Sequence, residues 1–326
     1  MKLFVSGVSG LLGMNLALQA RDRFQISGCY YAHPVILEGV QTLKLDLISL
    51  SSLEQALLEV GPDVVIHTAG LTNVEECEAN PQLAYRLNVE TTRNVAKVAD
   101  SLGVKLVHIS TDHVFDGTAP WKTEDDVPAP LNLYARTKRE AEEVVLEECR
   151  NSLIIRTNFF GWGTPARASF SDWILRALAR EDDLTMFSDV YFTPILINDL
   201  VDILAELIAR GAEGTFHVAG GERLTKHAFA LRLAQVFNYP TQTIRTISVE
   251  DFPFRAKRPR DMSLSCGKAE AYLGVRMPSV KDGLKRLKRL EAEGFRAALG
   301  EAVQEGASSR EPPQPRIQKR HADLHE

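Results

Sequence analysis

Residues 2–13 read KLFVSGVSGLLG, and this stretch decides the fold. A short apolar run ends at Ser6, and glycines follow at Gly7, Gly10 and Gly13. Glycine allows a tight turn after a strand and lets the backbone approach a ligand closely. The pattern therefore predicts a strand, a glycine turn and a helix whose positive end binds a pyrophosphate.

The rest of the chain alternates short apolar runs with longer helical patterns. Runs rich in β-branched and apolar residues predict strands at 3–6, 25–31, 42–45, 64–68, 104–110, 153–156 and 215–218. Apolar residues at helical spacing predict helices at 53–60, 134–149, 169–180 and 198–209, one that begins at Asn80-Pro81 and one capped by Thr225. This alternation predicts an α/β fold with a Rossmann-type, doubly wound parallel sheet.

The same pattern predicts the domain organisation. We expect a dinucleotide-binding domain at 1–160 and a smaller C-terminal substrate lobe, interleaved with sheet extensions, at 161–299. Residues 300–326 are rich in proline, glutamine, serine and charge, which predicts a disordered tail.

Composition narrows the class of protein. The 326 residues have a formal net charge of -5 and a pI near 6.0, which argues against binding to nucleic acid or to an anionic membrane. No apolar run approaches the ~18 residues of a transmembrane helix, and the first residues lack signal-peptide features. The four cysteines form no CxxC pair, and no histidine cluster has metal-ligand spacing. We expect a cytoplasmic protein with reduced thiols and no metal site.

The end of the second predicted strand bears on the cofactor. An acidic residue about 20 positions after the glycines would bind the adenosine ribose and favour NAD. Residues 29–33 read CYYAH instead, with no carboxylate to repel a 2′-phosphate and no arginine to bind it. The sequence therefore favours NADPH and leaves NADH open.

Tyr134 and Lys138 lie four residues apart in a predicted helix, so both side chains project from one face. A free tyrosine has a pKa near 10 and is a poor acid or base at neutral pH. A neighbouring ammonium favours the phenolate and brings the pKa closer to neutrality. Lysine can also bind the nicotinamide ribose, which makes this pair a candidate proton relay.

Ser110-Thr111-Asp112 lies at the carboxyl end of the fifth predicted strand, the edge at which doubly wound sheets bind ligands. A hydroxyl there can hydrogen-bond a substrate carbonyl while tyrosine supplies the proton. We select Thr111 for this role, with Ser110 or a purely structural turn as the alternatives.

Asn88 falls on the inward stripe of its predicted helix. A buried amide needs hydrogen-bond partners. Two roles remain open at this point: Asn88 holds a water near the relay, or it only ties down backbone.

Together these residues resemble the extended short-chain dehydrogenase/reductase family, most closely its dTDP-4-dehydrorhamnose reductase group, over about residues 1–290. The GxxGxxG spacing, STDHVFDG at 110–117 and PLNLY at 130–134 carry the resemblance. It implies the catalytic set Thr111, Tyr134 and Lys138. It implies cofactor contacts at Gly7, Gly10, Leu11, Leu12, Gly13, Asp46, Leu47, Ala69, Gly70, Asn88, Tyr134 and Lys138.

The predicted substrate contacts are Asp112, His113, Asn158 and Arg258, the last in a segment (258–261) similar to one that lines the sugar-nucleotide side in the family. The family usually has tyrosine where His113 stands. His113 is therefore either a polar pocket residue or a satisfied core histidine, and the exact sugar is not predicted.

The resemblance implies reduction of a keto group on a nucleotide-linked deoxysugar by an NAD(P)H-dependent oxidoreductase. Two other readings stay open: an epimerase or dehydratase of a sugar nucleotide, and a non-catalytic NADP-binding subunit similar to the regulatory β-subunit of methionine adenosyltransferase. The expected partner is a nucleotide sugar, and a homodimer is one assembly compatible with the sequence.

Overall fold

A seven-stranded parallel sheet forms the centre of the computed structural model, which describes residues 1–164 and 167–302. The strands are β1 Lys2–Ser6, β2 Gln25–Tyr30, β3 Val40–Lys44, β4 Val64–His67, β5 Lys105–Thr111, β6 Ser152–Thr157, β7 Phe159–Phe160, β8 Leu184–Phe187, β9 Tyr191–Phe192, β10 Ile195–Leu196, β11 Gly214–His217, β12 Leu224–Thr225, β13 Ile244–Ile247 and β14 Asp261–Met262. The helices are α1 Leu11–Ala20, α2 Leu50–Val60, α3 Val74–Ala79, α4 Pro81–Tyr85, α5 Thr91–Ser101, α6 Leu133–Glu148, α7 Phe170–Ala179, α8 Ile197–Ala209, α9 Lys226–Phe237, α10 Gly267–Leu273, α11 Val280–Ala292 and α12 Phe295–Glu301.

The sheet has the strand order β11-β6-β5-β4-β1-β2-β3. The chain leaves β1 in one direction through β2 and β3, then crosses back to β4 on the other side. The topological switch point therefore lies between β1 and β4, where doubly wound sheets bind ligands at the carboxyl ends of the strands. The predicted Rossmann-type fold is confirmed, with strand ends within two residues of their expected positions.

Strand residues alternate between two cores because successive side chains point to opposite faces of a sheet. Val5, Ile66 and Val107 enter the core on the side of α1 and α8. Phe4 and Val65 enter the opposite core, beneath α2 and α5. Since both faces are covered, β4, β5 and β6 are buried along their whole lengths.

The long helix predicted from Asn80 is interrupted in the structure. Pro81 does open α4, but the Asn80 side chain makes no capping hydrogen bond. A π-helical turn at Arg86–Glu90 then separates α4 from α5. Single π-helical turns inside α-helices are frequent at functional sites. Helix α3 was not predicted, because its six residues are too few to show helical periodicity.

The C-terminal half contributes to both the sheet and a small lobe. Helix α8 covers the main sheet and β11 extends it, whereas β8 pairs with β13, and β9 pairs with β12 and β14, outside it. The division at residue 160 stays a prediction. The tail is predicted from about Gly300; α12 runs to Glu301, and Ala302 is buried, with its carbonyl accepting from the backbone N–H of Ile36. The rest of the predicted tail, 303–326, lies outside the described residues.

Two further features concern the lengths of the helices and the state of the cysteines. Among the described helices, none is both long and apolar enough to cross a membrane. Cys29, Cys77, Cys149 and Cys266 are buried free thiols.

A buried ionic network joins α6 to β5 and β6. Glu142 accepts hydrogen bonds from Ser110 Oγ (2.5 Å) and from Arg156 Nε (2.9 Å) and Nη2 (2.8 Å). Burial acts to raise the pKa of Glu142, but the Arg156 guanidinium outweighs it and holds the pKa below its usual range. The network fixes the rotation and height of α6 over the sheet.

We predict that Glu142→Gln lowers the free energy of unfolding by about 3 kcal/mol, because it leaves the Arg156 charge buried without its partner. Urea unfolding of both proteins measures this. Glu143→Gln is the matched control, since Glu143 forms only a half-exposed pair with Arg139 and should change stability by less than about 1 kcal/mol. Equal stability of the Glu142→Gln variant and the wild type would contradict the prediction.

Candidate active site

The three residues predicted to be catalytic come together at the carboxyl edge of the sheet. Thr111 is the last residue of β5, and Tyr134 and Lys138 lie one turn apart on α6. All three are buried. Burial raises the pKa of Tyr134 above its usual range, and a hydrogen bond with Thr111 partly opposes that rise. At neutral pH Tyr134 therefore carries its proton, and the expectation that the Lys138 ammonium brings this pKa closer to neutrality was wrong.

Helix α6 begins where it does because Asn132 caps it. The Asn132 side chain accepts a hydrogen bond from the backbone N–H of Ala135 (3.0 Å). Its amide nitrogen also donates to the carbonyl of Lys257 (2.9 Å). The cap thus ties the first turn of α6, which carries Tyr134, to the segment before Arg258.

Lys138 is held by β5. Its ammonium donates to the carbonyl of Ile109 (2.8 Å) and contacts His108 Nε2 at 3.2 Å. Burial, reinforced by Lys138 and His67, lowers the pKa of His108 well below its usual value. The neutral ring therefore accepts a hydrogen bond from the Lys138 ammonium at Nε2. Burial lowers the pKa of Lys138 to about 8, against the opposing effect of Glu142. Within residues 1–164 and 167–302, two of the three ammonium N–H groups have partners, which leaves the third for a ligand.

Ser110 was the alternative to Thr111, and the structure separates the two. Ser110 Oγ donates to Glu142 and is committed to the ionic network. Thr111 Oγ1 accepts from the backbone N–H of His113 (3.2 Å) and donates to Asp112 Oδ1 (3.1 Å). Only the Thr111 hydroxyl lies beside Tyr134.

The glycine turn leaves three backbone donors free. Gly7 has a φ of +73°, and a Cβ on it would lie 2.9 Å from the backbone of Ala69, so the ends of β1 and β4 meet here. Gly10 opens α1 without a side-chain cap. Among the described residues, the first-turn N–H groups of Leu11, Leu12 and Gly13 have no acceptor. This arrangement suits a phosphate group.

Two further pairs of predicted cofactor contacts follow neighbouring strands. Asp46 and Leu47 follow β3, where Asp46 accepts from the backbone N–H of Ile48 (3.0 Å). Ala69 and Gly70 follow β4. All four lie at the same sheet edge as the glycine turn, because the carboxyl ends of parallel strands share one edge.

Asn88 lies in the π-helical turn and is almost fully buried. Its oxygen accepts from the backbone N–H of Leu71 (2.7 Å), and its nitrogen donates to the Leu71 carbonyl (3.1 Å) and to Thr137 Oγ1 (2.9 Å). Of the two roles left open by the sequence, these contacts match the second, since Asn88 ties the loop after β4 to α6. A Cβ on Gly70 would lie 2.8 Å from the Asn88 oxygen, so this approach requires glycine.

Asp112 and Asn158 form a pair next to the catalytic set. The Asn158 amide donates to Asp112 Oδ2, and Thr111 donates to Oδ1. Burial raises the pKa of Asp112 to about 6, against the opposing effects of Asn158, Lys226 and Thr111. Asp112 is nevertheless ionised at neutral pH.

A cavity of about 700 Å³ opens beside this pair, between α7, α9, the β8–β13 ribbon and the segment 252–262. Its polar lining includes Asn73, Glu75, His113, Lys226 and Arg258. Its apolar lining includes Trp173, Met186, Phe187, Ile247, Val249, Phe252 and Phe254.

His113 and Arg258 both line the cavity, as the sequence predicted. The ring of His113 meets Tyr134 edge-on, with centroids 5.7 Å apart, and its Nδ1 has no partner among the described residues. His113 is thus a pocket residue rather than a satisfied core histidine. Arg258 donates to Glu75 (2.8 Å) and lies over Phe254.

Two charged residues near the site were not predicted. Lys226, the first residue of α9, lines the cavity and faces Asp112. Arg167 donates to Thr72 Oγ1 (2.6 Å), and its positive charge acts to lower the pKa of Tyr134. A lysine in the first turn of a helix opposes the helix dipole, and that local conflict was the signal available for Lys226. No sequence pattern indicated Arg167.

Comparison with known proteins agrees with this geometry. A probable low-salt glycan biosynthesis reductase of Haloferax volcanii is 30% identical over 292 residues, covering 88% of this chain and 97% of the relative. The methionine adenosyltransferase 2 subunit beta of Pongo abelii is also 30% identical, covering 85% of this chain and 84% of its own. A crystal structure of dTDP-4-dehydrorhamnose reductase from Bacillus anthracis, in complex with NADP, superposes with a TM-score of 0.79 at 26% identity, covering 88% of this chain and 98% of that one.

These matches confirm both resemblances that the sequence predicted. The family model described as the RmlD substrate binding domain matches residues 1–291, which is nearly the whole described chain. This chain belongs to the RmlD substrate binding domain family.

Proposed function

We propose that this chain is an NADPH-dependent oxidoreductase that reduces a keto group on a nucleotide-linked deoxysugar, as dTDP-4-dehydrorhamnose reductases do. One observation carries the proposal: Thr111, Tyr134 and Lys138 converge at the sheet edge that also holds the glycine turn. The reductases named among the matches support the same reaction class.

The residues at the switch point fit a dinucleotide. The free N–H groups of Leu11, Leu12 and Gly13 would hold the pyrophosphate, with Gly7 and Gly10 allowing its close approach. Asp46 and Leu47 would line the adenine side, and Ala69, Gly70 and Asn88 the route to the nicotinamide. A bound reduced nicotinamide would supply hydride to the substrate carbonyl. NADPH is favoured over NADH because β2 ends without a carboxylate.

The three catalytic side chains would have different tasks. Tyr134 carries its proton at neutral pH and would deliver it to the developing alkoxide. The Thr111 hydroxyl would turn from Asp112 Oδ1 to donate to the same oxygen and orient it. Lys138, with one N–H group left over, would bind the nicotinamide ribose and support the proton transfer. General acid catalysis of this kind contributes about 10²–10⁴-fold in rate.

The polar lining of the cavity would hold the sugar nucleotide. We assign substrate contacts to His113 and Arg258, which line the cavity, and to Asp112 and Asn158, which are hydrogen-bonded to each other beside Thr111. The aromatic side chains of the lining suit a planar group. The unpaired thiols suit a cytoplasmic enzyme.

The decisive experiment replaces the acid. Tyr134→Phe should lower kcat by at least about 10²-fold, because the alkoxide loses its proton donor, while the Kd for NADPH stays within about twofold. Loss of reduced-nicotinamide absorbance, with a panel of dTDP-, GDP- and UDP-linked 4-keto sugars, measures turnover. Tyr272→Phe, which removes a surface hydroxyl bonded to the Arg210 carbonyl, is the control. Unchanged turnover in Tyr134→Phe would reject the assigned role.

The pH profile tests Lys138. Lys138 must be protonated to act, so kcat/KM should fall as the pH rises through about 8. This is the pKa of Lys138, which burial lowers, Glu142 partly restores, and the neutral His108 ring does not change by a charge of its own. Lys138→Arg keeps its charge throughout this range, so its remaining activity should not show this decline. The control variant Lys97→Arg, on the exposed side of α5, should show the same decline in kcat/KM as the wild type. A decline at the same pH in the Lys138→Arg variant would show that another group titrates.

The similarity to methionine adenosyltransferase 2 subunit beta supports a second candidate function, a non-catalytic NADP-binding subunit. Dinucleotide binding without turnover of any nucleotide sugar, together with co-purification of a methionine adenosyltransferase, would favour it. An epimerase or dehydratase would instead turn over a sugar nucleotide without net consumption of NADPH.

A further inference from the structure

Lys226 occupies an unusual place for a lysine. It is the first residue of α9, directly after the capping residue Thr225, and its side chain lines the cavity. The ammonium lies 3.3 Å from the ring centroid of Phe192 and 5.0 Å from that of Phe170. With the described residues it makes no hydrogen bond, and its strongest electrostatic partner is the carboxylate of Asp112.

In the part of the chain that the structure describes, the fold uses the charge of Lys226 but none of its N–H donors. The faces of the Phe192 and Phe170 rings attract the ammonium, whereas the positive end of the helix dipole opposes a cation in the first turn. Burial lowers the pKa of Lys226 to about 8, and Asp112 acts in the opposite direction. The other cation of the cavity, Arg258, is by contrast paired with Glu75 at 2.8 Å. The N–H donors of Lys226 are therefore available to a hydrogen-bond acceptor on a ligand bound in the cavity.

The residues around Lys226 indicate which chemical group this acceptor is. Asp112 already accepts from Thr111 and Asn158, and its negative charge would repel a carboxylate or phosphate placed beside it. A neutral hydroxyl avoids this repulsion and can accept from the ammonium. Because the Asp112 carboxylate lies 3.1 Å from Thr111 Oγ1, a hydroxyl held beside Asp112 would lie next to the carbonyl that Thr111 orients.

We propose that Lys226 is a specificity-determining residue whose ammonium donates a hydrogen bond to the sugar hydroxyl adjacent to the reacting carbonyl. For a 4-keto-6-deoxysugar this is the hydroxyl on carbon 3. The assignment rests on the proposed function, since it requires a keto sugar in the cavity.

The experiment compares one nucleotide-linked 4-keto-6-deoxysugar with its 3-deoxy analogue. Lys226→Met should lower kcat/KM for the hydroxylated sugar about 10- to 100-fold, as expected for loss of a charged hydrogen-bond donor, and for the 3-deoxy analogue less than about threefold. Lys226→Arg keeps the charge and the donors and should retain part of the discrimination. Lys268→Met is the matched control, because Lys268 also lies over a ring, that of Phe216, but outside the cavity.

Binding by calorimetric titration separates the two proposals. Suppose that the wild type binds and reduces the hydroxylated sugar. If Lys226→Met then loses the same activity on both sugars, or loses activity on neither, the proposed role of Lys226 is wrong and the reductase proposal stands. If the wild type binds both sugars without reducing either, the reductase proposal fails, and the ratio of the two Kd values in wild type and Lys226→Met still decides the role of Lys226. If the wild type binds neither sugar, both proposals are overturned.

Discussion

The contact between α6 and the end of β5 is the constraint on which the site depends. Four consecutive residues of β5 take part: His108 and the Ile109 carbonyl hold Lys138, Ser110 holds Glu142, and Thr111 lies beside Tyr134. Because Lys138 and Glu142 are one helical turn apart, two polar anchors prevent α6 from rotating or sliding on the strand. Tyr134, one turn earlier, is thereby placed beside Thr111, and the Asn132 cap holds the same turn of α6.

A second constraint joins this catalytic face to the ligand edge. Gly7 contacts the backbone of Ala69, and Gly70 contacts Asn88, so the turns after β1 and β4 and the π-helical turn form one packed unit. Asn88 extends that unit to Thr137 on α6. Side chains larger than hydrogen at Gly7 or Gly70 would separate the phosphate-binding turn from the catalytic helix.

Burial then sets the charges. Tyr134 stays protonated, Lys138 becomes a weaker base than a free lysine, and Asp112 stays ionised with a raised pKa. His108 and His113 are held neutral by burial. The edge of the sheet therefore carries a protonated phenol at Tyr134 and an ammonium at Lys138, and the Asp112 carboxylate and the Lys226 ammonium attract each other beside them.

The sequence by itself determined the fold and indicated the pair Tyr134 and Lys138, because strand periodicity, the glycine turn and the four-residue spacing of this pair are local patterns of the chain. Only the tertiary structure decided between Ser110 and Thr111, showed what Asn88 binds, and brought Lys226 and Arg167 to the site. Those outcomes depend on the packing of residues far apart in the chain, such as the hydrogen bond from Ser110 to Glu142 and the cation–π contact of Lys226 with Phe192. A local pattern can show that a residue such as Lys226 is unusual where it stands, but it cannot show which distant residue packs against it.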